Sequence, residues 1–112
     1  MQRVIDRLWL WCHPAGSHNG TYNIKGKSTI SPADAGRYLG LSNAIMVRYE
    51  GLPTPPYHKE AESLAGMNQV VWSVVGAGGL TDGNELDHVL ELSRSFPNIS
   101  GAMMDDFFRI QP

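Results

Sequence analysis

Four short apolar runs mark the chain, at residues 8–12, 44–49, 70–75 and 99–104. Each is rich in β-branched, aromatic or bulky side chains, and most read as nearly continuous rather than alternating. A strand with one wet face alternates; a strand covered on both faces does not. The pattern therefore predicts strands of a parallel sheet buried under helices. Between the runs lie segments with helical punctuation. Residues 31–40 open on Ser31 as N-cap with Pro32 at the first helical position. They carry Asp34 in the first turn and end on Gly40, which suits a left-handed stop. Residues 56–66 read the same way with a weaker apolar stripe. The clearest helix runs over residues 82–96. Asp82 and Glu85 can form a capping box, Leu86, Val89, Leu90 and Leu92 recur at helical spacing, and Pro97 ends it.

The order is strand, helix, strand, helix, strand, helix, strand. Alternation at this spacing predicts an α/β fold of parallel βαβαβαβ units joined by crossovers, with residues 1–112 as a single domain. The connections are unequal. Those leading from helix to strand are short, whereas residues 13–30, 50–55 and 76–81 form longer strand-to-helix loops. In parallel α/β folds those loops make the face on which sites are built.

Composition narrows the function classes. Hydrophobic residues make up 42% of the chain and charged residues 18%, enough to bury a core. The formal charge is −2 and the nine Lys and Arg are scattered, so no nucleic-acid partner and no anionic membrane surface is expected. Cys12 is the single cysteine. It can form no internal disulfide, and a zinc site could draw on no second thiolate. The first residues lack the apolar run of a secretory signal, and nothing approaches the roughly 20 apolar residues that span a bilayer. A cytoplasmic location is the default expectation.

Candidate chemistry concentrates where the strands end. Asp105 and Asp106 follow the fourth apolar run, and an acid emerging from a sheet is costly to bury unless it is paired, protonated or facing a polar cavity. Neighbouring strand residues point apart, so one of the two is expected to face the site while the other caps or pairs. His13 directly follows the first run. Arg48 and Glu50 close the second, where Arg48 can orient an acid, bind a substrate oxygen or form an ion pair. Trp72 is a candidate stacking aromatic for a sugar ring. His13, His18 and His58 show neither His-x-His nor His-x-x-x-His spacing, so no metal is expected, and no cofactor.

Three segments together carry a resemblance: Leu8-Trp9-Leu10-Trp11 with its following His-Pro loop, Trp72-Ser73-Val74-Val75-Gly76, and Ser100-Gly101-Ala102-Met103-Met104-Asp105-Asp106-Phe107-Phe108. They resemble the N-terminal half of a (β/α)8 (TIM-type) barrel of the glycoside hydrolase-like kind, many of whose members are uncharacterised bacterial proteins. The resemblance implies a small-molecule or oligosaccharide substrate, Asp105 as catalytic nucleophile, and Asp106 as its neighbour or a substrate hydroxyl contact. Glycosidic cleavage needs two carboxyl groups, roughly 5–5.5 Å apart for retention or 6.5–9.5 Å for inversion. In such barrels the second usually comes from a later strand, so a half-barrel by itself is expected to be inactive. Glu50 is the comparable acid within the chain.

A second reading stays open. Gly76-Ala77-Gly78-Gly79 after an apolar strand is similar to a nucleotide-binding turn, and Asp105 ends the next strand as a ribose-binding acid would. Against it, Thr81 stands where the third glycine belongs. Four parallel strands also leave two unpaired edges. The chain is expected either to form a homodimer through those edges or to be poorly soluble.

Overall fold

The computed structural model describes residues 1–108. Strands β1 (Leu10–Cys12), β2 (Asn43–Met46), β3 (Gln69–Val75) and β4 (Ile99–Met104) alternate with helices α1 (Pro32–Leu39), α2 (His58–Ser63) and α3 (Glu85–Ser95). All four strands lie in one parallel sheet in the order β1-β2-β3-β4. The α/β expectation is met, and each strand pairs with the one before it. Among the described residues no helix is long and apolar enough to cross a membrane.

Two strands are shorter than the apolar runs suggest, for local reasons. A 3-10 turn at Val4–Arg7 closes with the Leu8 N–H on the Ile5 carbonyl at 3.2 Å, so the ladder of β1 starts only at Leu10. At the other end of β2 the Val47 N–H still reaches the Cys12 carbonyl at 2.9 Å. The next amide, that of Arg48, donates to the Ser73 hydroxyl at 2.9 Å instead of to a strand carbonyl. A side chain captures the backbone there, and the ladder stops.

The ends of α1 follow their sequence signals closely, whereas α2 is shorter than residues 56–66 and stops at Ser63, with Leu64 and not Gly66 at its C-cap. The Ser31 hydroxyl accepts the Asp34 N–H at 3.1 Å, and Gly40 takes φ +72° while the Leu41 N–H returns to the Gly36 carbonyl. In α3 the expected capping box is one-sided. The Glu85 carboxylate accepts the Asp82 and Gly83 N–H groups, but the Asp82 carboxylate turns to Arg48, and the helix begins at Glu85.

Alternation decides what is buried. Leu10, Cys12, Ala44, Met46, Val70, Trp72 and Ile99 point to one face of the sheet, where they meet Ala33 of α1, Ala61 of α2, Leu64, and Val89 and Leu92 of α3. All three helices cover this face. The intervening residues Trp11, Ile45 and Val71 are Cα partners across the sheet on the other side, and Trp11 is exposed. Trp72 is completely buried, its ring 5.5 Å from that of Tyr57. Truncating such a side chain forfeits its transfer free energy and leaves a cavity, so Trp72→Ala should cost about 3–5 kcal/mol of stability. Equilibrium urea unfolding followed by circular dichroism would measure it.

A candidate functional site at the strand ends

A parallel sheet delivers every strand's C-terminus to one edge, and here those four ends line an open cavity of about 620 Å3. His13 comes from the end of β1, Tyr49 and Glu50 from beyond β2, Ala77 and Gly78 from beyond β3, and Asp105 and Asp106 from beyond β4. The long first loop adds His18 and Tyr22.

Asp105 sits half-buried at the mouth of β4, its N–H donated to the Val75 carbonyl at 2.9 Å. Burial pushes its carboxyl above the ordinary carboxylate value, the Asp106 charge pushes it further, and His13 offsets part of this. Asp106 takes a left-handed backbone, φ +50°, and its carboxylate accepts the Gly78 N–H at 3.0 Å. The two neighbours therefore differ in role: one carboxyl is destabilised by its surroundings, the other is tied to the opposite loop. His13 Nδ1 lies 2.8 Å from the Val47 carbonyl. A carbonyl can only accept, so Nδ1 carries the proton and Nε2 is the nitrogen left for a ligand.

Glu50 stands on a tight turn in which Tyr49 and Leu52 exchange two backbone hydrogen bonds of 2.8 and 3.0 Å. Glu50 and Gly51 both have positive φ, +51° and +80°, as a turn matched to sheet twist requires. Tyr49 packs edge-on against His18, with ring centroids 4.7 Å apart, and tilted against His13 at 5.1 Å; Tyr22 meets His18 at 5.3 Å. Burial raises the Tyr49 hydroxyl above its ordinary pKa, and the neighbouring Tyr22 adds to the shift. These rings form an aromatic wall in the same cavity as the acids.

Two of the residues singled out from the sequence stand elsewhere. Trp72 points to the helices, because its register partner Met46 does. Arg48 is 5% exposed and spends its guanidinium on structure. It donates to the Pro53 and Gly51 carbonyls at 3.0 and 2.8 Å and to Glu85 at 3.0 Å, and it lies over the Tyr57 ring. Burial alone would raise the Glu85 carboxyl. The Asp82 amide, the Thr81 hydroxyl and Arg48 outweigh it and hold the group below its ordinary value. Arg48 also shapes the site from behind: its carbonyl accepts the Ala77 N–H at 2.8 Å. A Cβ on Gly76 would fall 2.8 Å from that same carbonyl, so glycine is the residue this close approach admits.

The sequence gives little warning of His18, Tyr22 and Tyr49 as wall residues. Their convergence depends on the loop's fold, in which the Asn19 side chain both donates to the Ser28 carbonyl and accepts the Ser28 N–H, each at 2.9 Å. The only available signal is that loop's length and its aromatic content. Among the described residues no group of three or more His, Cys, Asp or Glu is arranged to hold a metal ion.

No family model, curated protein or solved structure matches the chain. The fold defines a four-stranded parallel α/β domain with a strand-end cavity, and what that cavity does has to be read from its own chemistry.

The buried ion pair predicts a pH dependence of known sign. Because Glu85 is depressed in the folded chain, its stabilisation is fully present above the ordinary value near 4.5 and is lost as pH falls through the folded value. Urea midpoints measured between neutral pH and pH 3 should therefore decline, and Glu85→Gln should lower stability at neutral pH while flattening that slope. Removing one partner of a buried pair costs about 3–5 kcal/mol.

Proposed function

We propose that the strand-end cavity binds a sugar and that the chain is a glycoside hydrolase-like, carbohydrate-active domain. The observation that carries this reading is the convergence of Asp105, Glu50 and Asp106 with two tyrosines and two histidines in one cavity. Carboxylates accept from sugar hydroxyls, and aromatic rings offer the apolar surface that the C–H face of a pyranose needs.

In this reading Asp105 serves as the general acid, a different role from the nucleophile that the resemblance implies. A carboxyl raised by burial keeps its proton closer to neutral pH, as a general acid must. It transfers that proton to the glycosidic oxygen as the C–O bond breaks. Glu50, the more exposed carboxylate, takes the proton of the water that adds to the anomeric carbon. Asp106, fixed by the Gly78 amide, is placed to accept from a sugar hydroxyl. The sequential strand order also supports reading the sheet as half of a (β/α)8 barrel, whose strands wind in that order and whose sites lie at this edge. The nucleotide-binding alternative draws less support. The helix after Gly76–Gly79 starts only at Glu85, and the Gly78 amide already holds a carboxylate where a phosphate would need it.

With Glu50 in the same cavity as Asp105, the second carboxyl group need not come from a later strand, so this proposal departs from the expectation of inactivity. Turnover of a panel of 4-nitrophenyl glycosides tests it. Asp105→Asn should lower kcat/KM by roughly 10²–10⁴-fold, the usual contribution of a positioned acid. The same variant should unfold at no lower temperature than the parent, because the amide escapes the penalty of an ionised carboxylate in a half-buried place. Unchanged turnover in Asp105→Asn would reject the assignment.

A further inference from the structure

Beside the acid cavity lies a second one of about 500 Å3, under the loop that joins β1 to α1. Its size falls within the range of small-molecule sites. Leu10 and Trp11 of β1, Ile24 and Ile30 of the loop, and Pro32 and Ala35 of α1 wall it. Ile24 and Ile30 remain 50% and 48% exposed, so the fold does not use them to fill its core. The Asn19–Ser28 pair of hydrogen bonds braces the loop around the cavity, which is therefore built and not a gap beneath a slack segment.

The two cavities share a wall. His13 and His18 line both, their rings edge to face with centroids 4.9 Å apart. One side of the two imidazoles holds Glu50, Asp105 and Asp106; the other is mainly apolar. Of the polar residues that also line it, Ser17, Asn19, Ser28 and Ser31 are already hydrogen-bonded within the chain, and Lys27 adds one cation. A ligand that fills both must have a hydroxyl-rich end and an apolar end, joined close to the histidines.

We propose that the apolar cavity receives the aglycone of the same glycoside whose sugar enters the acid cavity. The substrate class is then an alkyl or aryl glycoside, not an oligosaccharide, whose second sugar would meet Leu10, Trp11, Ile24 and Ile30 and polar side chains already engaged within the chain, with Lys27 the exception. This rests on the glycoside reading above. It places the glycosidic oxygen beside His13, which with His18 forms the wall between the two cavities.

Calorimetric titration with methyl and octyl 1-thio-glycosides of glucose, galactose and mannose tests it, the octyl compounds kept below their micelle concentrations. At least one octyl thioglycoside should bind about 10-fold or more tighter than its methyl counterpart, since each added methylene is buried. Ile24→Asp should reduce the octyl affinity to the methyl value and leave methyl binding unchanged. Ala35→Leu, which fills the same cavity from α1, should do likewise, so the outcome does not hang on one variant's folding. Equal affinity of octyl and methyl compounds for the parent protein overturns the aglycone site and leaves the sugar site standing. Failure of every thioglycoside to bind overturns the glycoside reading, and this proposal with it.

Discussion

Arg48 and Glu85 form a buried ion pair on which the arrangement of the strand ends depends. Two charges in a low-dielectric interior are tolerated only when nearly every donor and acceptor is used, and here they are. The guanidinium gathers the Gly51 and Pro53 carbonyls from the loop after β2, while Glu85 gathers amides and a hydroxyl from the loop after β3. The backbone of Arg48 joins the same network through Ser73 and Ala77. Two stretches distant in sequence, residues 48–53 and 73–85, are thus locked at one point. They carry Glu50 and Gly78 into the cavity. The pair acts on the site by position, without touching its interior.

Glu85 and Asp105 make an instructive contrast. Both are carboxyls withdrawn from water, and their pKa values move in opposite directions. Glu85 is satisfied by donors, so its charge is comfortable and its part is structural. Asp105 has a like charge beside it, which His13 and the Asp106 backbone offset only in part. Environments that drive similar groups apart are how a fold divides labour between scaffold and chemistry.

Much of the architecture was legible in the sequence. Continuous apolar runs indicated parallel strands but wrongly implied cover on both faces, since the helices pack on one and Trp11 on the other is exposed. The Ser31, Gly40 and Pro97 signals bracketed helices where the structure has them. The strand ends were less legible, because side chains decide them: Ser73 terminates β2 by taking the Arg48 amide. Of the candidate site residues, His13, Glu50, Asp105 and Asp106 line one cavity, since topology alone brings strand ends together. Trp72 and Arg48 required the third dimension. A tryptophan's side of the sheet follows from register, and an arginine's partners follow from which loops fold over it; neither is written in local spacing. His18 and Tyr22 were hidden for the converse reason, lying in a loop whose shape comes from a single asparagine reaching across to Ser28.

That asparagine has an effect beyond shape. Because Asn19 and Ser28 tie the loop after β1 to itself, it behaves as a self-braced cassette clipped onto a short strand and a well-capped helix. Each of the remaining cavity walls hangs from a different strand–helix unit. A change in the cassette can therefore alter one side of the site while the acids stay where β2 and β4 hold them. Such modularity lets new ligand preferences be tried, in evolution or in the laboratory, without first dismantling the machinery that would act on them.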